Sequence, residues 1–179
     1  MKISRIIWSL WFLLIITCTA LAQDVKVDWD KTTSFTGFRT YAWGNNTHAK
    51  NPIMDQRIIQ GIESQLAAKG LQKVEPAANP DLVVLYHAAT TTETEINTID
   101  TGTWGRGWGW GGGGMSTSTV NKIPVGQLVV DIGDVKNKKY IWRGTASGTV
   151  SDNPEKNEKT LNKAIVKMFD KFPPPVKKG

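Results

Sequence analysis

Apolar and polar residues alternate along this chain with two periods, and the switches between them mark out its elements. In Val25-Lys26-Val27-Asp28-Trp29 every second residue is apolar, which predicts a strand with Val25, Val27 and Trp29 on one face. Phe35, Phe38, Tyr41 and Trp43 follow, and residues 39–43 read as a second short strand ended by Gly44-Asn45-Asn46. The period then lengthens. Ile58, Ile59, Ile62 and Leu66 fall on one face of a helix that starts at Asn51-Pro52, where Asn caps and Pro has no N–H to leave unpaired. Asp55 sits in its first turns, where negative charge is favoured, and Lys69-Gly70 closes it.

A short strand at 71–74 leads to the turn Asn79-Pro80-Asp81. Leu82-Val83-Val84-Leu85-Tyr86 is continuously apolar, as a central strand is, and runs on to Thr92 with a polar, alternating pattern. Residues 116–120 read as the antiparallel return strand, 127–132 as another apolar strand and 133–139 as a turn. In the strand 140–150, Tyr140, Trp142, Gly144, Ala146, Gly148 and Val150 are expected on one face, whose small residues suit a helix lying close. Ser151-Asp152-Asn153-Pro154 opens the last helix, with Leu161, Ala164, Ile165, Met168 and Phe172 as its apolar stripe, and Pro173-Pro174-Pro175 ends it. The expectation is an α+β two-layer sandwich. A mostly antiparallel sheet of about six strands carries two amphipathic helices on one face.

The segment 101–114 fits neither period. Eight of the 13 residues from 102 to 114 are glycine, with Trp104, Arg106, Trp108 and Trp110 between them. So little side chain builds no core of its own, and the segment reads as a loop joining two antiparallel strands. Indoles stack on sugar faces or anchor protein interfaces, and Arg106 offers a fork of donors to a carboxylate. The plain alternative is a low-complexity insert whose tryptophans rest on the domain's own surface. Trp104, Arg106, Trp108 and Trp110 are taken as the candidate binding residues.

The amino terminus changes the picture most. Lys2 and Arg5 precede an apolar run of 13 residues, 6–18, and Ala20-Leu21-Ala22 follows. That is the layout of a secretory signal peptide over 1–22, and the run is short for a permanent membrane span. The expected product is one domain, 23–179, in the periplasm or outside the cell. Cys18, the only cysteine, would leave with the signal, so no disulfide is expected. The alternative is a lipoprotein, since Ile15-Ile16-Thr17-Cys18 partly resembles a lipobox; Cys18 would then be acylated and hold the protein on an envelope membrane.

Without residues 1–22 the 22 Lys and Arg fall to 20, against 16 Asp and Glu. A scattered excess of +4 does not make the dense basic stripe of a nucleic-acid binder.

Several segments together resemble the domain-of-unknown-function 4136 family of exported bacterial envelope proteins. They are Phe38-Arg39-Thr40-Tyr41-Ala42-Trp43, Asn51-Pro52-Ile53-Met54-Asp55-Gln56-Arg57-Ile58, Ala68-Lys69-Gly70-Leu71, Asn79-Pro80-Asp81-Leu82-Val83-Val84, Leu128-Val129-Val130-Asp131-Ile132, Trp142-Arg143-Gly144-Thr145-Ala146 and Phe172-Pro173-Pro174. The resemblance implies an α/β envelope domain, often lipid-anchored. It implies no reaction, because the family brings no catalytic motif.

The residues themselves agree. His48 and His87 are the only histidines and are not at metal-binding spacing, so no metal or other cofactor is expected. His87 reads as a hydrogen-bonded structural residue at the end of a core strand, and His48 as a solvated loop residue. No serine has the G-x-S-x-G context of a nucleophile elbow. Gly109-Trp110-Gly111-Gly112-Gly113-Gly114 contains G-x-G-x-x-G but opens no helix. Arg143 is expected to pair with Asp131 on a neighbouring strand. The reading is a non-catalytic envelope domain that binds a protein or the cell wall, such as peptidoglycan. The rival is a hydrolase of envelope glycans or peptides, using strand-edge carboxylates drawn from Glu93, Glu95, Asp100 and Asp131.

Overall fold

The structure is a computed structural model and describes residues 24–100 and 116–174. Its strands are β1 (Asp24–Trp29), β2 (Thr40–Trp43), β3 (Gln72–Lys73), β4 (Leu82–Asp100), β5 (Ser116–Asp134) and β6 (Lys139–Thr149). The helices are α1 (Pro52–Ala68), between β2 and β3, and α2 (Pro154–Phe169), after β6. The six strands form one open sheet in the order β1-β6-β5-β4-β2-β3. Pairing is antiparallel from β1 to β4 and parallel between β4, β2 and β3. The parallel part follows from α1, since a helical crossover brings the chain back in the same direction. Both helices pack on one face, so the expected α+β sandwich is the fold.

Local chemistry sets the element ends. Asn51 accepts from the N–H groups of Ile53 and Met54, and Asn153 from that of Lys156, each just before a proline. At the other corner Asp81 Oδ2 accepts from the N–H groups of Arg39 and Thr40, at 2.8 and 2.9 Å. This ties the start of β2 to the start of β4.

Ile58, Ile62 and Leu66 of α1 and Ala164, Ile165, Met168 and Phe169 of α2 are buried against Tyr41, Val84, Tyr86, Val130 and Trp142. Full burial of each large apolar side chain contributes roughly 1.5–3 kcal/mol. The helices meet at Gly61, where a Cβ would come within 2.8 Å of Ile165 Cδ1. Arg57 Nη2 bridges them to Glu158 Oε2 at 2.8 Å.

One facing is corrected. Tyr140 was expected beside Trp142, yet it is 62% exposed while Ile141 and Trp142 are both 1% exposed. Between the pairs Gly133↔Tyr140 and Ile132↔Trp142 the register slips by one, so Ile141 is an extra residue in β6. Such a bulge breaks the period of two and releases Tyr140 from the core side.

Candidate functional site

β4 and β5 pair along all 19 residues of each strand, from Leu82↔Asp134 to Asp100↔Ser116. Their neighbours are shorter. β6 leaves β5 at Thr149↔Val125, and β2 leaves β4 at Trp43↔Val84, followed by the isolated bridge Thr47↔His87. From Thr92↔Pro124 outward nine pairs continue with no third strand among the described residues. At about 3.3 Å per residue this two-stranded arm is roughly 30 Å long. The described side chains near its base, residues 90–94, 122 and 124, are exposed.

Pro124 marks the boundary. Its carbonyl accepts the N–H of Val150 at 2.8 Å, so its backbone faces β6. Having no N–H, it offers a longer β6 no donor on that side. The strand break expected between 120 and 127 is therefore absent: proline sits in a continuous β5 because its missing donor lies on an edge.

The sequence-selected residues Trp104, Arg106, Trp108 and Trp110 lie outside the described residues, as do Cys18 and the rest of residues 1–22. Their attachment points are described. Asp100 and Ser116, the two ends of segment 101–115, are the outermost pair of the arm.

Beside the arm's base, the loop from β2 to α1 is laced to β4. Asn46 Oδ1 accepts the Tyr86 N–H at 3.0 Å, and Thr47 exchanges backbone bonds with Tyr86 and Ala88. Thr47 Oγ1 lies 2.8 Å from His87 Nδ1, a hydrogen-bonded histidine as expected, although an exposed one. His48 is more than a solvated loop residue. Its Nδ1 lies 2.7 Å from Asp55 Oδ2 and 2.9 Å from the Tyr86 hydroxyl, which donates to Asp55 Oδ1 at 2.9 Å. Asp55 Oδ1 also accepts the Ala49 N–H at 2.7 Å. Burial pushes the Asp55 carboxyl up, but the bonds from Ala49, His48 and Tyr86 outweigh it and hold the group below its ordinary value. Burial and the adjacent carboxylate push the Tyr86 hydroxyl well up. Only Asp55, a carboxylate in a first helical turn, hinted at this network in the sequence; its partners lie on other elements.

The sheet face without helices carries the expected cross-strand pair. Arg143 donates from Nε and Nη2 to the two oxygens of Asp131 at 2.5 and 2.8 Å. Asp131 is 3% exposed, so the guanidinium both neutralises and covers it. A cleft of about 400 Å³ lies between the loop after β1 and the β5–β6 turn, lined by Thr32, Phe38, Asp81, Asp134 and Lys139. Its two aspartates are committed to the backbone, Asp81 as above and Asp134 to the Asn137 N–H at 2.9 Å. Among the described residues no three His, Cys, Asp or Glu side chains are grouped to hold a metal ion. None of the described helices is long and apolar enough to cross a membrane.

An open mixed sheet backed by two helices, with its central hairpin extended into an arm, defines the class. The model of the family described as "Domain of unknown function (DUF4136)" matches residues 25–174, and the chain belongs to that family. Among solved structures it is similar to a PDZ domain protein from Parabacteroides distasonis ATCC 8503, at 17% identity and a TM-score of 0.55 over 86% of this chain. It covers 36% of that longer protein. It is also similar to the PelC dodecamer from Paraburkholderia phytofirmans, at 14% identity and a TM-score of 0.49, over 82% of this chain and 95% of that one. At these identities the likeness is one of fold. No curated protein matches.

Proposed function

We propose that this protein is a non-catalytic, exported envelope domain that contacts a protein or cell-wall partner through Trp104, Arg106, Trp108 and Trp110. The observation that carries this reading is the arm. The two central strands continue as nine further pairs, and segment 101–115 joins their far ends. Aromatic residues in a segment joined to the far end of such an arm can reach a partner without disturbing the core, and glycine between them lets each indole find its surface. The segment 1–22 directs export, with cleavage after Ala22 and release into the periplasm or beyond. Retention of an acylated Cys18 on an envelope membrane is the alternative, and one intact-mass measurement separates the two.

The test is photocrosslinking in the native envelope, with a reactive residue in place of Trp108 and adducts read by mass spectrometry. A discrete protein or peptidoglycan adduct that disappears when residues 102–114 are deleted is the expected result. A folded, exported protein that yields no adduct overturns the reading.

A further inference from the structure

The arm has two long edges. On β4, Val84 and Tyr86 accept from the N–H groups of Gly44 and Thr47, and Ala88 donates to Thr47 O. Polar backbone groups alternate along a strand, so Thr92, Thr94, Ile96, Thr98 and Asp100 point theirs to the same outer side. On β5 the carbonyl of Pro124 points outward to Val150, and Lys122, Val120, Ser118 and Ser116 follow it. Beyond Val150 no strand among the described residues takes up either row.

Bare edges are normally guarded by charge, proline or cover. Here the guards Glu93, Lys122 and Pro124 stand at the base, while residues 96–99 and 116–121 hold neither a charge nor a proline. The arm's sequence also offers no apolar face for lipid or a greasy groove: Ile96 pairs with Val120, but the positions two places away on the same face are Thr94, Thr98, Ser118 and Lys122. A two-stranded ribbon of this kind is marginal in water and gains from a third and fourth strand.

We propose that the arms join copies of this chain head to tail, the β4 edge of one pairing with the β5 edge of the next. Charge selects that arrangement. Residues 92–100 hold Glu93, Glu95 and Asp100 and no base, whereas residues 116–124 hold Lys122 and no acid. Two β4 edges face to face set acid against acid, and β4 against β5 sets acid against base. Each copy owns one edge of each kind, so a neighbour on either side satisfies both, where a foreign strand covers one. Such a heterologous contact closes into a ring or runs on as a filament. Main-chain hydrogen bonds supply the recognition. The inference does not depend on the tryptophan segment.

The test is sedimentation velocity on the full chain, purified as the cell processes it, over a wide concentration range. Concentration-dependent assembly is expected. Thr94→Pro with Thr98→Pro blocks the β4 edge, and Ser118→Pro blocks the β5 edge. Both act at outward N–H groups and spare the bonds inside the hairpin, and circular dichroism checks the fold. Each blocked form is expected to be monomeric, and their mixture to form a 1:1 pair and nothing larger. Glu93→Lys with Glu95→Lys, which leaves the backbone untouched, weakens assembly at least about tenfold. Deleting residues 102–114 abolishes partner contact but not assembly, which separates this inference from the proposed function. A wild-type chain that stays monomeric, assembly indifferent to both the proline and the lysine variants, or well-folded blocked forms that fail to pair overturns it.

Discussion

Gly144 of β6 lies directly under Met168 of α2: a Cβ on this glycine would collide with Cγ and Sδ of Met168 and come within 2.6 Å of Trp142 Cη2. Met168 and Trp142 are themselves buried, so neither has room to retreat. Gly144→Ala is expected to cost about 1–3 kcal/mol through overpacking. Gly148, four residues on, is the control, because its Cβ would meet nothing nearer than Thr160 Cγ2 at 3.8 Å. Gly148→Ala is expected to be neutral or to stabilise by roughly 0.5 kcal/mol, since alanine has less freedom to lose on folding. Urea unfolding of the two variants side by side checks both.

The Asp131–Arg143 pair makes an asymmetric prediction. Arg143→Ala strands a carboxylate that is 4% exposed, while the lost guanidinium was largely in water. The expected cost is about 1–3 kcal/mol. Replacing both partners by apolar residues of similar size restores most of it, because a buried pair has to repay its own desolvation. Chemical unfolding of the single and double variants at one pH gives the comparison.

Acid sensitivity follows from five carboxylates held below their ordinary values, Asp30, Asp55, Glu63, Asp81 and Asp134. For each, the folded state prefers the ionised form, so the stabilisation is present above the unfolded value and is lost as pH falls through the lowered folded one. The ordinary values are 3.8 for Asp and 4.5 for Glu, so stability is expected to fall steadily below that range. Tyr86→Phe removes one of the bonds that hold Asp55 down. It is expected to cost about 1 kcal/mol at neutral pH and to narrow the acid-dependent loss. Unfolding free energy measured against pH for both proteins tests the sign and the assignment.

Excising the segment beyond the arm tests whether the body needs it. Residues 101–115 replaced by Asn-Gly leave Asp100 and Ser116 joined by a tight hairpin turn. The unfolding free energy of the body is expected to stay within about 0.5 kcal/mol of the parent. A larger loss in thermal or urea unfolding would mean that the tryptophans pack on the domain itself.

Much of this architecture was legible because it rests on local chemistry. Asn51-Pro52 and Asn153-Pro154 cap where capping rules place them. The alternation in β1 buries Val25, Val27 and Trp29 in part and leaves Asp24, Lys26 and Asp28 exposed, as read. The pairing of Arg143 with Asp131 was also foreseeable, because both residues stood on adjacent strand patterns. What escaped depends on neighbours. The bulge at Ile141 arises from the register against β5, and no period within 139–149 announces it. Pro124 reads as a break until its carbonyl is seen bonded to Val150, outside the hairpin. The His48–Asp55–Tyr86 network joins a loop, a helix and a strand 38 residues apart in the chain at its widest. The candidate residues Trp104, Arg106, Trp108 and Trp110 rest on composition, and what the fold adds is the position of the strand ends that flank them.

The arm and the centre of the core are made from the same two unbroken strands, with no linker between them. β4 runs from Leu82 and β5 ends at Asp134, both buried, while the other end of each strand reaches the outermost pair. A load drawn along the arm therefore travels down the strand axes into the part of the sheet where β4 and β5 also pair with β2 and β6. There it acts in shear, so the ladder bonds to β2 and β6 resist together rather than opening one after another. Mechanically this domain is a rod rooted in a block, and tension along the rod is borne by the block.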